Sequence, residues 1–223
     1  MFKLLSFDVY GTLVDTQPVN AEVFCSILER TGGSNVAPLS FYQFWEERNI
    51  SHYCEPYRSY KEICRLSLEE AFQHFDIRGG SGKLIDLYFA AFSRMRLYPD
   101  VLPTLQALAR THRLALVSNI DDDLLDSTAL PVDFDLACTA ERARGYKPDG
   151  ALFRYLIANA GAPVQEILHS GQSQFTDLVG GKPLGLTIAW INRRNLSLHA
   201  AVPRPDFVLS DVRSLLRLLA GAA

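Results

Sequence analysis

Apolar positions along the chain change their spacing twice. Residues 3–8 read as a short apolar strand that stops at an acid, Asp8, and Gly11 then suits a sharp turn. From about Pro18 to Met95 the spacing becomes helical. Val19, Val23 and Ile27 recur at about one-turn intervals, as do Phe41, Phe44 and Trp45. A third helix is predicted by Tyr60, Ile63, Cys64, Leu68, Ala71, Phe72 and Phe75, and a fourth by Leu84, Leu87, Tyr88 and Phe92. The GGSG stretch at residues 79–82 separates these last two, and no strand pattern interrupts the region.

From Tyr98 onward strands and helices alternate. Asp100 is placed to cap a helix carrying Leu102, Leu105 and Leu108, with Pro103 tolerated in its first turn. Strands are predicted at residues 114–117, 134–138, 167–171, 187–191 and 207–209. A helix with Leu152, Phe153, Leu156 and Ile157 on one face lies among them, and a last one carries Val212, Leu215, Leu216 and Leu219. Alternation of this kind implies an α/β fold, with a parallel sheet covered on both faces. The expected organisation is a Rossmann-like three-layer core from residues 1–15 and 97–223, with a helical cap at residues 16–96. Ligands of such sheets bind at the carboxyl ends of the strands. The polar residues of interest gather there: Asp8, Ser118, Asn119 and the 172–177 group.

Composition narrows the function classes. The 223 residues are 48% hydrophobic and 21% charged, with a formal net charge of −3. That is ordinary globular composition, and no basic face is forced, so nucleic acid is not an expected partner. No apolar run approaches the roughly 18 residues of a membrane span, and Asp8 interrupts the apolar start too early for a signal peptide. A soluble, cytoplasmic protein is expected. Cys25, Cys54, Cys64 and Cys138 lack CxxC spacing and read as free thiols. A homodimer is compatible with the chain, but nothing in the sequence fixes an oligomeric state.

The strongest chemical signal is Asp8-Val9-Tyr10-Gly11-Thr12-Leu13, an acid at a strand end followed by a glycine turn. Alone it reads equally as a capped turn. Three segments follow it in order: Ser118-Asn119 at a strand end, Tyr146-Lys147-Pro148, and Gly171-Gln172-Ser173 with Asp177 five residues after Gln172. This set resembles the haloacid dehalogenase superfamily over nearly the whole chain. Tyr10, Tyr146-Lys147-Pro148 and Trp190-Ile191-Asn192-Arg193 look specifically like its haloacid dehalogenases. The resemblance implies a nucleophilic Asp8, with Ser118, Lys147 and Asp177 at the superfamily's other motif positions.

Departures from the superfamily's phosphatases refine the expectation. Phosphatases carry a second Asp two residues after the nucleophile, and here that residue is Tyr10, a poor acid at neutral pH. They also bind Mg²⁺ through an acid where this chain has neutral Gln172. Neither loss hinders release of a halide, which leaves as an anion. Dehalogenases usually have Ser at the position of Gln172 and Asn at that of Gln174.

The expected reaction is metal-independent and cofactor-free hydrolysis of a small halogenated carboxylate through an aspartyl ester. Catalytic roles fall to Asp8, Lys147 and Asp177, with Asp177 orienting Lys147 and the water. Substrate contacts are assigned to Tyr10, Thr12, Ser118, Asn119, Arg48, Gln172 and Gln174. Two alternatives remain: a small-molecule phosphatase with an altered metal site, and a catalytically idle member that binds a metabolite. Dehalogenases use a cap arginine for the halide. Trp45, Arg48, Tyr53, Tyr57 and Arg58 are the cap candidates, although aromatics in a cap core and arginines on its surface explain them equally. His52, His74, His112, His169 and His199 show no ligand spacing and read as structural or exposed. Asp121-Asp122-Asp123 reads as a solvated helix start.

Overall fold

The computed structural model describes residues 2–33, 35–78, 80, 82–130 and 132–221. Six parallel strands form one sheet in the order β5-β4-β1-β6-β7-β8. They are β1 (Leu4–Phe7), β4 (Arg113–Ser118), β5 (Leu136–Thr139), β6 (Ile167–Gly171), β7 (Thr187–Ile191) and β8 (Phe207–Leu209). Helices α5 (Val101–Leu108), α6 (Asp122–Asp126), α7 (Ala140–Ala143), α8 (Ala151–Asn159) and α10 (Ser214–Ala220) fall between or after them. A single π-helical turn, Gln174–Leu178, runs into the short α9 (Val179–Gly181). Strand β1 is central, and all four of its side chains are buried. Its neighbours β4 and β6 end at Ser118 and Gly171, so the three chemistry-bearing segments emerge side by side at the carboxyl end of the sheet.

The helical region contains α1 (Gln17–Arg30), α2 (Pro38–His52), α3 (Tyr60–His74) and α4 (Asp86–Ala91). Of the GGSG stretch, Gly79 and Ser81 lie outside the described residues. Phe24, Phe41, Trp45 and Tyr88 knit these helices together, with Phe24 and Trp45 rings 4.8 Å apart. Each such ring contributes about 1.5–3 kcal/mol through burial alone.

Two features of this region escaped the apolar pattern. A two-stranded antiparallel ribbon, β2 (Val14–Asp15) with β3 (Arg96–Leu97), joins the two ends of the helical insert. Two-residue strands have no periodicity to read. The acidic run is also more than a solvated helix start. Asp121 is buried and accepts from the backbone N–H groups of Tyr60 (2.8 Å) and Lys61 (3.0 Å), while Lys61 pairs with Asp123. Helix α3 already has a capping box between Ser59 and Glu62. Asp121 therefore fills its remaining free donors from the core side. Tyr146 adds a second tie, donating to the carbonyl of Arg58 (2.7 Å) and stacking on Tyr53 (4.7 Å).

Candidate active site

Asp8 lies just past β1, where Gly11, at φ +84°, turns the chain back under it. The carboxylate is 8% exposed. Its Oδ1 accepts from Lys147 Nζ (2.8 Å) and its Oδ2 from Thr12 Oγ1 (2.6 Å). Lys147 is 1% exposed, and its ammonium donates also to Asp177 Oδ1 (2.7 Å) and the Val117 carbonyl (3.0 Å). All three N–H donors are thereby used. Asp177 is fully buried, and its Oδ2 accepts from the Ser173 N–H (3.0 Å).

One ammonium thus serves two buried carboxylates. Burial opposes ionisation of Asp177, but Lys147 and then His169 outweigh it and hold this carboxyl well below the usual range. Burial, reinforced by the Asp177 charge and opposed by Lys147, pushes Asp8 up from its ordinary value. Burial alone would lower Lys147, yet Asp177 and Asp8 raise it, so the ammonium stays charged.

The expected residues divide into three groups. Asp8, Tyr10, Ser118, Asn119, Lys147 and Gln172 line one cavity of about 260 Å³ between the carboxyl end of the sheet and the insert. Within it the Asn119 amide is spent on the backbone of Lys147, accepting from its N–H (2.8 Å) and donating to its carbonyl (2.9 Å). The Tyr10 hydroxyl meets Thr128 Oγ1 (2.9 Å), and burial drives its pKa further up, so it is no proton donor. Thr12 and Asp177 stand behind the cavity. Thr12 donates to Asp8 and accepts from the Gln172 N–H (2.9 Å), outside the lining of the cavity where a substrate contact was expected. Asp177 has both oxygens engaged away from the cavity, one on the Lys147 ammonium and one on the Ser173 N–H.

Arg48 and Gln174 are not brought to the site. Arg48 pairs with Glu70 on another face of α2, and Arg58 pairs with Glu55 (2.6 Å). Gln174 donates to the Ser197 carbonyl (3.0 Å) and accepts from the His199 N–H (2.7 Å), so its amide braces a loop.

Sequence reasoning missed two residues that hold this arrangement. His169 is fully buried, with Nδ1 3.0 Å from Ser6 Oγ and Nε2 3.3 Å from Asp177 Oδ1. An ionised Asp177 accepts only, so Nε2 carries the proton. A histidine inside an apolar strand two residues before Gly171 was the available signal. Arg193 grips the loop that follows Asp8: it donates to the Thr12 carbonyl (3.1 and 2.9 Å), pairs bidentately with Asp100 (2.9 and 3.0 Å) and stacks on Tyr98. Asp100 is therefore spent on Arg193 and the Val212 N–H and makes no side-chain cap on α5.

Gly171 leaves Asp177 its place. A Cβ there would lie 2.2 Å from Asp177 Oδ2, far inside contact distance. Gly171→Ala is expected to cost about 1–3 kcal/mol by overpacking, measured by denaturant unfolding. Unchanged stability would show that Asp177 has room to move.

Among the described residues no group of three or more His, Cys, Asp and Glu side chains is placed to hold a metal ion. The residue beside Asp8 that would supply a second carboxylate is Gln172, whose side chain packs against Gly11.

Known proteins carry the same frame. A family model described as haloacid dehalogenase-like hydrolase matches residues 2–185. The chain belongs to the haloacid dehalogenase-like hydrolases. Within this family it is similar to haloacetate dehalogenase H-2 of Moraxella sp. (strain B), at 23% identity over 98% of both chains. It is also similar to the N-acylneuraminate-9-phosphatase of Homo sapiens, at 27% identity over 97% of this chain and 93% of that one. Its fold matches the L-2-haloacid dehalogenase from Xanthobacter autotrophicus with chloropropionic acid covalently bound. The TM-score is 0.85 at 22% identity, and all of both chains is covered. The family fold accounts for the sheet and the helices around it. No helix among the described residues is long and apolar enough to cross a membrane.

Proposed function

We propose that this hydrolase displaces a halide from a small carboxylate through an ester on Asp8, without a metal ion. In the first step an Asp8 oxygen attacks the carbon bearing the halogen. The C–O bond forms, and the C–X bond breaks with the electron pair leaving on the halide. Water then adds to the ester carbonyl of Asp8, and the C–O bond between that carbonyl and the Asp8 oxygen breaks. The product keeps that oxygen as its hydroxyl, and Asp8 regains one from water.

The observation that carries this reading is the donor set at Asp8. Among the described residues its charge is met by Lys147 and Thr12 alone, while Tyr10 and Gln172 stand where a phosphatase needs an acid and a metal ligand. A hard divalent cation needs several oxygen ligands, and two neutral side chains are a poor substitute for carboxylates. Phosphoryl transfer would also need a proton for its leaving alkoxide, which the buried Tyr10 phenol does not supply. Halide departure needs neither. The small cavity supports a substrate of few heavy atoms.

The test compares halide release from short carboxylates halogenated beside the carboxyl group with phosphate release from small phosphate esters, each with and without EDTA. Halide release unaffected by chelation is the expected result. Phosphate release abolished by EDTA and restored by Mg²⁺ would replace this reading with the phosphatase one.

A further inference from the structure

The cavity wall supplied by the insert carries one connected polar chain. Asn20 from α1 and Tyr42 and Glu46 from α2 form a chain: Asn20 Nδ2 donates to the Tyr42 hydroxyl (3.1 Å), which donates to Glu46 Oε1 (2.9 Å). The direction is forced. An ionised carboxylate only accepts, so the single phenol proton goes to Glu46, and Asn20 must turn its amide nitrogen toward Tyr42. That leaves Asn20 Oδ1 over. It is buried and has no hydrogen-bond partner among the described residues. Asn20 itself is 5% exposed.

Glu46 Oε2 likewise has no partner among the described residues. The opposing charge that acts on Glu46 across the cavity is Arg194, which makes only a 3.4 Å contact with Gln172 Oε1 and no ion pair with Glu46. Among the described residues, no arginine or lysine of the insert lines the cavity. A substrate whose far end is anionic would meet a carboxylate there, and a purely apolar end would leave the buried Asn20 Oδ1 without a donor.

We propose that Glu46, with Asn20 Oδ1 beside it, selects substrates bearing a hydrogen-bond donor, an ammonium or a hydroxyl, at the end remote from the carbon that Asp8 attacks. This rests on Asp8 as the attacking group, and it is independent of which group departs. Glu46 is a specificity residue in this scheme and takes no part in bond making.

Binding of unreactive probes tests it. Butyrate, γ-hydroxybutyrate and γ-aminobutyrate are titrated calorimetrically into the full-length protein and into Glu46→Leu and Glu46→Gln. The two donor-bearing probes are expected to bind the parent about tenfold or more tighter than butyrate, as a charge-assisted hydrogen bond warrants. Glu46→Leu should remove the advantage of both. Glu46→Gln should keep part of it for the hydroxyl and lose it for the ammonium, because an amide accepts without charge. Glu46 is solvent-exposed, so neither variant threatens the fold. Equal binding of all three probes, an advantage that survives Glu46→Leu, or no binding by any probe would overturn the proposal. None of these probes carries a halogen. Failure of halide release alone would sink the reaction assigned above and leave the donor preference standing.

Discussion

Replacing Asp8 with Asn should lower turnover by about 10⁴-fold or more, since an amide oxygen is a far weaker nucleophile than a carboxylate. The fold should survive. The amide oxygen can still accept from Lys147, and the amide nitrogen can donate to Thr12 Oγ1, where the parent accepts at both oxygens. A melting curve near that of the parent therefore belongs to the prediction. One turnover in isotopically labelled water gives the decisive readout. If Asp8 forms the ester, the label enters Asp8 and the first product carries an enzyme oxygen. Label in the first product with Asp8 unlabelled would mean that water attacks directly, and Asp8 would be a general base. The pH profile carries the same signature. Attack by Asp8 would need its carboxylate ionised, and burial raises its pKa above the ordinary 3.8. The rate should therefore fall on acidification at a pH above that value, and this limb should vanish from the residual activity of Asp8→Asn.

Lys147→Met should damage activity less, by about 10²–10³-fold, and stability much more. The substitution leaves Asp8 and Asp177 buried without their shared counter-charge. Removing one partner of a buried ion pair typically costs about 3–5 kcal/mol. Two variants separate the charge effect from lost packing. Lys147→Met combined with Asp177→Asn removes one orphaned charge and should recover part of the stability by denaturant unfolding, with no recovery of turnover. If the double variant is no more stable than the single one, the cost lies in packing and not in uncompensated charge.

What the sequence made legible follows from which features are periodic or ordered along the chain. The central strands were readable because each is an apolar run that stops at a polar residue: β1 before Asp8, β4 at Ser118, β6 at Gly171. Asp8, Lys147 and Asp177 were readable as an ordered set, and the fold brings them within hydrogen-bond distance. Side-chain direction was not readable without a known helix face. On α2, positions 42, 45, 46 and 49 fall within about 100° of one another, while Arg48 lies about 160° from Glu46 at 100° per residue. Once the cavity face is known, Glu46 belongs to it and Arg48 cannot. Gln174 was misplaced because its partners, the Ser197 carbonyl and the His199 N–H, lie more than 20 residues away and leave no local pattern. His169 and Arg193 act through other side chains, His169 on Asp177 and Arg193 on the Thr12 carbonyl, and such second contacts leave no spacing to find.

The ties between core and insert bear on how freely the two parts could be recombined. Tyr146, the residue before Lys147, donates to the carbonyl of Arg58, and Asp121 completes the start of α3. A foreign insert grafted between Asp15 and Leu97 would have to bring its own acceptor for Tyr146 and its own exposed helix start for Asp121. Without them the Tyr146 phenol, next to the lysine that serves Asp8, and the Asp121 carboxylate would both lose their partners. Chimeras of this chain are therefore constrained less by the ribbon at which they would be cut than by the loop at residues 53–61. A graft that retains that loop keeps Lys147 in the surroundings it was built for.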